Sequence, residues 1–276
     1  TKIHTLLQEE GYADNVFVVA HHVGYYTDDF TLGEKDSNGK YEEEKLLWFY
    51  NNSGNTYAPA AMVDRMPYFT TKTNQPTPVF SPSNYGILKA TVASERKLST
   101  NAIVNLTLDK DDASNRLGVN VSGVCNELYS AEHPYVMVYL IENNVEAISQ
   151  AGVSGKYFQQ HLTRAYNAIW GEPIEWTDKF FTYNCSFDID PAWNKDNMEV
   201  VAFVYNYDAD DIKNCKIENA ARQLLNATSG ISTSTIQNTA STIVARYTLN
   251  GTRVNNDYHG ITIEKFSNGK VMKVMR

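Results

Sequence analysis

The sequence predicts an α+β chain of several modules: an α/β segment, an antiparallel β-sandwich and a small β-hairpin module at the end. Three observations predict it. A helix-like stretch leads into the valine-rich run Val16–Ala20, short alternating strands recur between Ala102 and Asp208, and two Asn-Gly dipeptides stand in the tail. The divisions expected from the composition changes are residues 1–75, 76–227 and 228–276.

Ile3–Gln8 reads as a short helix with Ile3, Leu6 and Leu7 on one side and Gly11 as a stop. Val16–Ala20 is a continuous apolar run, the pattern of a strand covered on both faces. Glu42–Tyr50 predicts a second helix, with acidic residues in its first turn and Leu46, Leu47, Phe49 and Tyr50 behind them. A turn then leads into a strand at Ala61–Val63, and the proline-, threonine- and asparagine-rich stretch from Thr70 to Pro82 reads as a linker.

Beyond it, Ala102–Leu108 and Leu117–Val121 alternate apolar and polar residues, and YVMVYLIE, FFTYNCSFDI and EVVAFVYNYD continue the series. Short alternating strands must each bury one face, which predicts two packed antiparallel sheets. Ile217–Asn226 groups Ala220, Ala221, Leu224 and Leu225 as a helix would. Residues 228–242, dominated by Ser, Thr, Asn and Gln, read as a second linker. Asn250-Gly251 and Asn268-Gly269, each flanked by alternating residues, signal two hairpins.

The net charge of −8 comes from well-mixed charges, a poor match for nucleic-acid phosphates or an anionic bilayer. No run approaches the roughly 18 apolar residues of a membrane-spanning helix. Thr1 opens neither a basic nor an apolar leader segment, so the expectation is a cytoplasmic chain or one already trimmed. The 18 tyrosines among abundant Asn, Ser and Thr suit sheets with polar outer faces. Cys125, Cys185 and Cys215 are far apart, and no CxxC pair is present. Thiol redox chemistry and a four-cysteine zinc site therefore cannot be assembled from them, and no cofactor is expected.

Side-chain clusters offer no catalytic set. Adjacent His21 and His22 point to opposite sides of a strand, so they rarely share one metal; His22 with Asp28 or Asp29 would need the loop to fold back. Satisfied histidines at a strand end are the favoured reading. Glu42, Glu43 and Glu44 spread around a helix and read as a solvated first turn. No GxSxG elbow is present. Asp208–Asp211 lacks the ligand spacing of a calcium loop and reads as a solvated connection. Within Gly155–Glu175, Arg164 among Tyr157, His161, Tyr166 and Trp170 could hold a carboxylate or a sugar. The favoured alternative is that Arg164 pins a long connection by bonding backbone carbonyls.

That segment also carries a family resemblance. With Glu142, Gln150, Tyr157, His161, Arg164, Trp170, Gly171 and Glu172 in order, the chain resembles the Omp28-related outer-membrane proteins of the Bacteroidetes from about Ile3 to Leu225. The resemblance implies a thioredoxin-like domain followed by a β-sandwich. Ile3–Gln8 would be the helix after the usual Cys-x-x-Cys, Val16–His21 the next central strand, and Ala58-Pro59 the cis peptide opposite the redox site. Both redox cysteines are missing from the given sequence, as they would be in a truncated thioredoxin-like domain or in a chain cut downstream of them. The tail resembles a reduced type A sorting domain of the type IX secretion route, through Tyr247, Gly251, Val254, Gly260, Ile261, Ile263, Gly269, Lys270 and Val271.

These readings lead to an expected function. It is a non-catalytic cell-envelope or secreted protein, binding or structural, with a protein, peptide or glycan as its unknown partner and peripheral association with the outer membrane. The residues expected to serve a ligand or structural site are His22, Tyr25, Pro59, Tyr157, His161, Arg164 and Trp170, with no catalytic or metal-binding residue among them. The alternative is a thiol-disulfide oxidoreductase whose CxxC lies upstream.

Overall fold

Alternating apolar residues in the middle of the chain build two facing sheets, and the preceding residues cover the outside of one of them. The computed structural model describes residues 2–23, 27–51, 58–66, 78–148, 150, 153–226, 243–248, 252–255, 258, 261–266 and 271–275. Residues 1–233 and 234–276 form separate compact units.

The first unit opens with helices α1 (Lys2–Leu7), α2 (Glu44–Tyr50) and α3 (Tyr85–Glu95). Strands follow as β1 (Ala102–Asp111), β2 (Arg116–Cys125), β3 (Pro134–Glu142), β4 (Val145–Ala147) and β5 (Tyr157–Gln159). They continue as β6 (Leu162–Tyr166), β7 (Glu172–Pro173), β8 (Phe180–Asp188), β9 (Met198–Asn206) and β10 (Ile217–Leu224). One sheet has the order β1-β2-β8; the other runs β10-β9-β3-β6, with β7 also paired to β3. All these pairings are antiparallel.

Between the sheets lie Val104, Leu106, Leu117, Val119, Val121, Val138, Leu140, Val200 and Ala202. The alternation expected of a sandwich is therefore realised. Strands β3 and β9 break it, because their other face is buried too: Met137, Tyr139, Ile141, Val201, Phe203 and Tyr205 pack with Phe17 and Val19 from the start of the chain. This double burial explains why YVMVYLI and VVAFVY are continuous apolar runs.

Several expectations need correction. Val16–Ala20 joins no ladder; only Ala20 bridges, in parallel, to Leu162, through Ala20 N–H to His161 O at 2.8 Å and Thr163 N–H to Ala20 O at 3.1 Å. Ala61 likewise makes a single antiparallel bridge, to Phe80. The apolar residues of these stretches are used as cover for the sheet and for a small cluster of Leu6, Tyr12, Phe80, Leu88 and Val92. No named strand forms among the described residues before Ala102. Of the linker-like stretch, residues 70–77 lie outside the described residues, while Val79 and Phe80 are buried core.

Helix α3 follows directly and was not anticipated. Its start is set by Asn84, whose Oδ1 accepts the Ile87 N–H at 3.1 Å. Ile217–Leu224 is a strand instead of the expected helix. Its Ala- and Leu-rich composition favours a helix, but pairing along β9 satisfies a whole row of backbone groups there, and tertiary context overrides propensity.

The second unit is a four-stranded antiparallel sheet of β11 (Ile243–Thr248), β12 (Arg253–Val254), β13 (Ile261–Phe266) and β14 (Val271–Met275), in the order β12-β11-β13-β14. The strands flanking each Asn-Gly pair with one another, as the hairpin signals require; the dipeptides themselves lie outside the described residues. Arg246 Nε donates to buried Glu264 at 2.7 Å across β11 and β13.

Candidate functional site

The single bridge at Ala20 sets the positions of both histidines that follow it. His21 Nδ1 lies 2.6 Å from Glu43 Oε1, and its ring meets Tyr139 edge-on at 5.2 Å. Glu43 is only 1% exposed, and its second oxygen accepts the Leu32 N–H. Glu43 is thus not part of a solvated turn: it is the buried end of a connection between α2 and the extended start of the chain. His22 carries a separate contact, Nδ1 to Asp28 Oδ2 at 2.7 Å, with Phe30 edge-on to its ring.

His161, in a left-handed conformation at φ 58°, accepts the Ala20 N–H through its carbonyl and donates its own N–H to Asn143 Oδ1. Its Nδ1 stands 3.7 Å from Glu199 Oε1. Burial opposes ionisation of Glu199, yet His161, Asn143 and Arg222 around it prevail and hold its carboxyl below the usual range. Arg164 Nε donates to buried Glu142 at 2.7 Å, and the Asn194 N–H donates to the other oxygen at 2.8 Å. The guanidinium also faces Trp193 and Phe30. Arg164 therefore pins its connection through a carboxylate, where backbone carbonyls were expected.

The structure brings His22 and Arg164 together around Phe30. The contacts of Tyr157, Trp170 and Pro59 lie elsewhere. Tyr157 pairs with Ala147 in the β4–β5 ribbon. Trp170 stacks on Tyr207 at 5.5 Å and meets Phe49 edge-on, while Tyr205 Oη donates to its carbonyl. Pro59 is exposed, follows a cis bond from Ala58, and adjoins Ala60 of the same aromatic cluster. Tyr25 lies outside the described residues.

No group of three or more His, Cys, Asp or Glu side chains could hold a metal among the described residues. The Asp208 carboxylate is taken up by the N–H groups of Asp210 and Asp211 and by Asn214. All three cysteines are free thiols, and burial pushes Cys185 up to about 11 and Cys215 upward as well. A buried thiol of high pKa is a poor nucleophile.

A cleft that the sequence reading missed opens at one end of the sandwich. Residues 132–135, entering β3, and residues 173–177, leaving β7, flank an open depression of about 570 Å³. The β3–β7 pairing, Tyr135 to Pro173 and Val136 to Glu172, holds the two segments side by side. Gly171 allows that approach: at φ 70°, a Cβ there would stand 2.4 Å from the Val136 carbonyl oxygen. Pro134 and Pro173 supply apolar surface, with Tyr135 and Trp176 beside them; Ile174 is buried in the core between the sheets, and exposed Glu132 and Glu175 lie on the same two segments. The only sequence signal is that EHPY and EPIEW each carry a proline at a strand end with a glutamate one or two positions before it.

No helix among the described residues is long and apolar enough to cross a membrane, which leaves strand-built spans unaddressed. No curated protein matches the chain. Among solved structures it is similar to HBP35 of Porphyromonas gingivalis, at 19% identity over 74% of this chain and 72% of that one, with a TM-score of 0.49. It is also similar to a domain of the outer membrane lipoprotein Omp28 from Porphyromonas gingivalis, at 19% identity over 45% of this chain and 88% of that one, with a TM-score of 0.33. The model of the family described as outer membrane protein Omp28 matches residues 48–229, more than half of the chain. The chain therefore belongs to the Omp28 family of outer membrane proteins, extracytoplasmic in location.

Proposed function

We propose that this protein is a non-catalytic binding protein of the outer membrane that takes its ligand in the cleft between residues 132–135 and 173–177. The observation carrying this reading is the cleft itself. Its volume falls within the range of ligand sites, and it combines apolar walls with a few polar groups. On this reading His22, Pro59, Tyr157, His161, Arg164 and Trp170, the described residues among those singled out from sequence, are structural.

A peptide fits the cleft better than a glycan does. Sugars stack on open aromatic faces, whereas Trp176 packs against Tyr129 at 5.0 Å and Phe181 at 4.7 Å, and Tyr135 against Tyr205 and Tyr207. An open cleft flanked by Pro134 and Pro173 suits a side chain laid in from an extended segment.

We read residues 1–75 as a partial thioredoxin-like segment adapted to covering the sheet, and the four-stranded tail as a sorting-type module. The order of α1, the extended Val16–Ala20 and the bridge at Ala61 supports the first, and the two hairpins support the second. The test is a binding screen of the full chain against peptide and oligosaccharide arrays beside Thr177→Trp, which fills the cleft, together with an insulin-reduction assay. Peptide binding lost in the variant, without reductase activity, is the expected result; reductase activity, or binding unchanged by the variant, overturns the reading.

A further inference from the structure

The β1-β2-β8 sheet ends on a long open edge, the outer side of β8. Cys125 N–H donates to Lys179 O at 2.9 Å and Ile189 N–H to Asn115 O at 2.8 Å, and between these bonds the β2–β8 register runs without a shift. The odd-numbered residues of β8 therefore bond to β2, and the N–H and C=O groups of Thr182, Asn184 and Ser186 point away from it. None of those groups has a partner among the described residues. Elsewhere in this unit strand edges are met by neighbours: Ala20 bridges the outer side of β6 at Leu162, and Asn219 of β10 donates to the Ala102 carbonyl of β1 at 2.8 Å. Strand β8 also lacks the devices that keep an edge single. From Phe180 to Phe187 it has no proline, no charged residue and no bulge.

We infer that β8 is a dimerisation strand, which pairs antiparallel with β8 of a second copy of this chain about a two-fold axis at Asn184. Outward-facing residues must meet outward-facing residues, and the register centred on Asn184 is the one that pairs all three of them. It sets Asn184 opposite Asn184 of the second copy and Thr182 opposite Ser186, with six main-chain hydrogen bonds in all. The side chains agree with it on both faces. On the exposed face, amide meets amide and hydroxyl meets hydroxyl. On the core face, half-buried Tyr183 comes opposite half-buried Cys185 of the second copy, both of them packed on the core of the sandwich. Asp188, the charge at the end of the strand, stands opposite Phe180, so no like charges meet. This self-complementarity under a two-fold axis is what an isologous interface requires, and it singles out a second copy as the partner.

The test is sedimentation equilibrium of the full chain, alone and as Asn184→Pro and Asn184→Lys, each checked for folding by circular dichroism. Neither substitution removes a bond to β2, because the Asn184 N–H faces outward. Proline deletes the two central bonds of the dimer, and lysine sets two like charges face to face. The mass is expected to rise toward twice 31.1 kDa with concentration, and each variant to weaken association by at least about tenfold. If the proline variant does not fold, the lysine variant alone decides. In a Cys185→Ser background, Asn184→Cys should cross-link to its own copy on mild oxidation and Thr182→Cys should not, since the Cα atoms of a hydrogen-bonded pair stand about 5.5 Å apart. A single 31.1 kDa species at every concentration up to about 100 μM overturns the inference. So does a dimer that neither variant weakens, or one that Asn184→Cys does not cross-link.

Discussion

Glu43 and His21 meet at 2.6 Å with the carboxylate 1% exposed, so the start of the chain is fastened to helix α2 by a contact that water barely reaches. Removing the carboxylate leaves His21 and the Leu32 N–H without their acceptor. Glu43→Ala is expected to lower stability by about 1–3 kcal/mol, and Glu43→Gln by less, since an amide oxygen can still accept. Urea denaturation followed by circular dichroism measures both.

Glu142 depends on Arg164 in the same way, but here the partner is permanently charged. Arg164→Ala leaves a buried carboxylate whose remaining partner among the described residues is the Asn194 N–H, and should cost about 3 kcal/mol. Adding Glu142→Gln to that variant should recover part of the loss, because the unpaired charge is then gone. A double-mutant cycle in urea decides it; strictly additive effects would count against a direct pairing.

Gly171 tests the cleft from its backbone side. A Cβ at this position collides with the Val136 carbonyl, and φ 70° is itself unfavourable for alanine. Gly171→Ala should destabilise by about 2 kcal/mol and weaken peptide binding, since β7 can no longer lie against β3. Thermal melts and titrations on the same sample separate the two effects.

The depressed Glu199 carboxyl has a consequence for acid stability. Below the ordinary carboxylate range the unfolded chain takes up the proton first, so stability contributed at neutral pH is lost as the pH falls through the folded value. Glu199→Gln should be less stable than the parent at pH 7, with the difference shrinking toward pH 3. Urea midpoints measured across that interval check the direction.

Thiol reactivity is the fourth property open to direct measurement after stability, binding and pH response. With Cys185 pushed up to about 11, only about a thousandth of it is thiolate at pH 8. Cys185 and the buried Cys215 should label slowly with iodoacetamide in the native protein and rapidly in denaturant. Peptide mapping by mass spectrometry assigns the sites.

Strand patterns were well legible where one face of a strand is core and the other solvent, as in β1 and β2, and where both faces are core, as in β3 and β9. Legibility failed where the same residues serve without a ladder. Val16–Ala20 looks like a buried strand because its apolar side chains pack half-buried against the sheet, yet its one bridge to a strand is at Ala20, a fact of register that no periodicity encodes. Ile217–Leu224 has helix-forming composition and became a strand because β9 needed a neighbour. At the site level, Arg164 was recognised as a pin while its acidic partner, 22 positions earlier, was not. Glu43 was misread because an acidic first turn has an ordinary explanation at the surface. The cleft joins segments about 40 positions apart and arises from pairing of a strand only two residues long, Glu172–Pro173.

The double burial of β3 and β9 bears on how this unit can be divided or inherited. The row Met137, Tyr139, Ile141, Val201, Phe203 and Tyr205 has no solvent-compatible side of its own. A sandwich excised at the start of β1 would present that row to water as a broad sticky surface and would be prone to aggregation. The opening segment and the sandwich are therefore co-dependent halves of one hydrophobic partition, so recombination that exchanges one must exchange the other or supply a replacement cover.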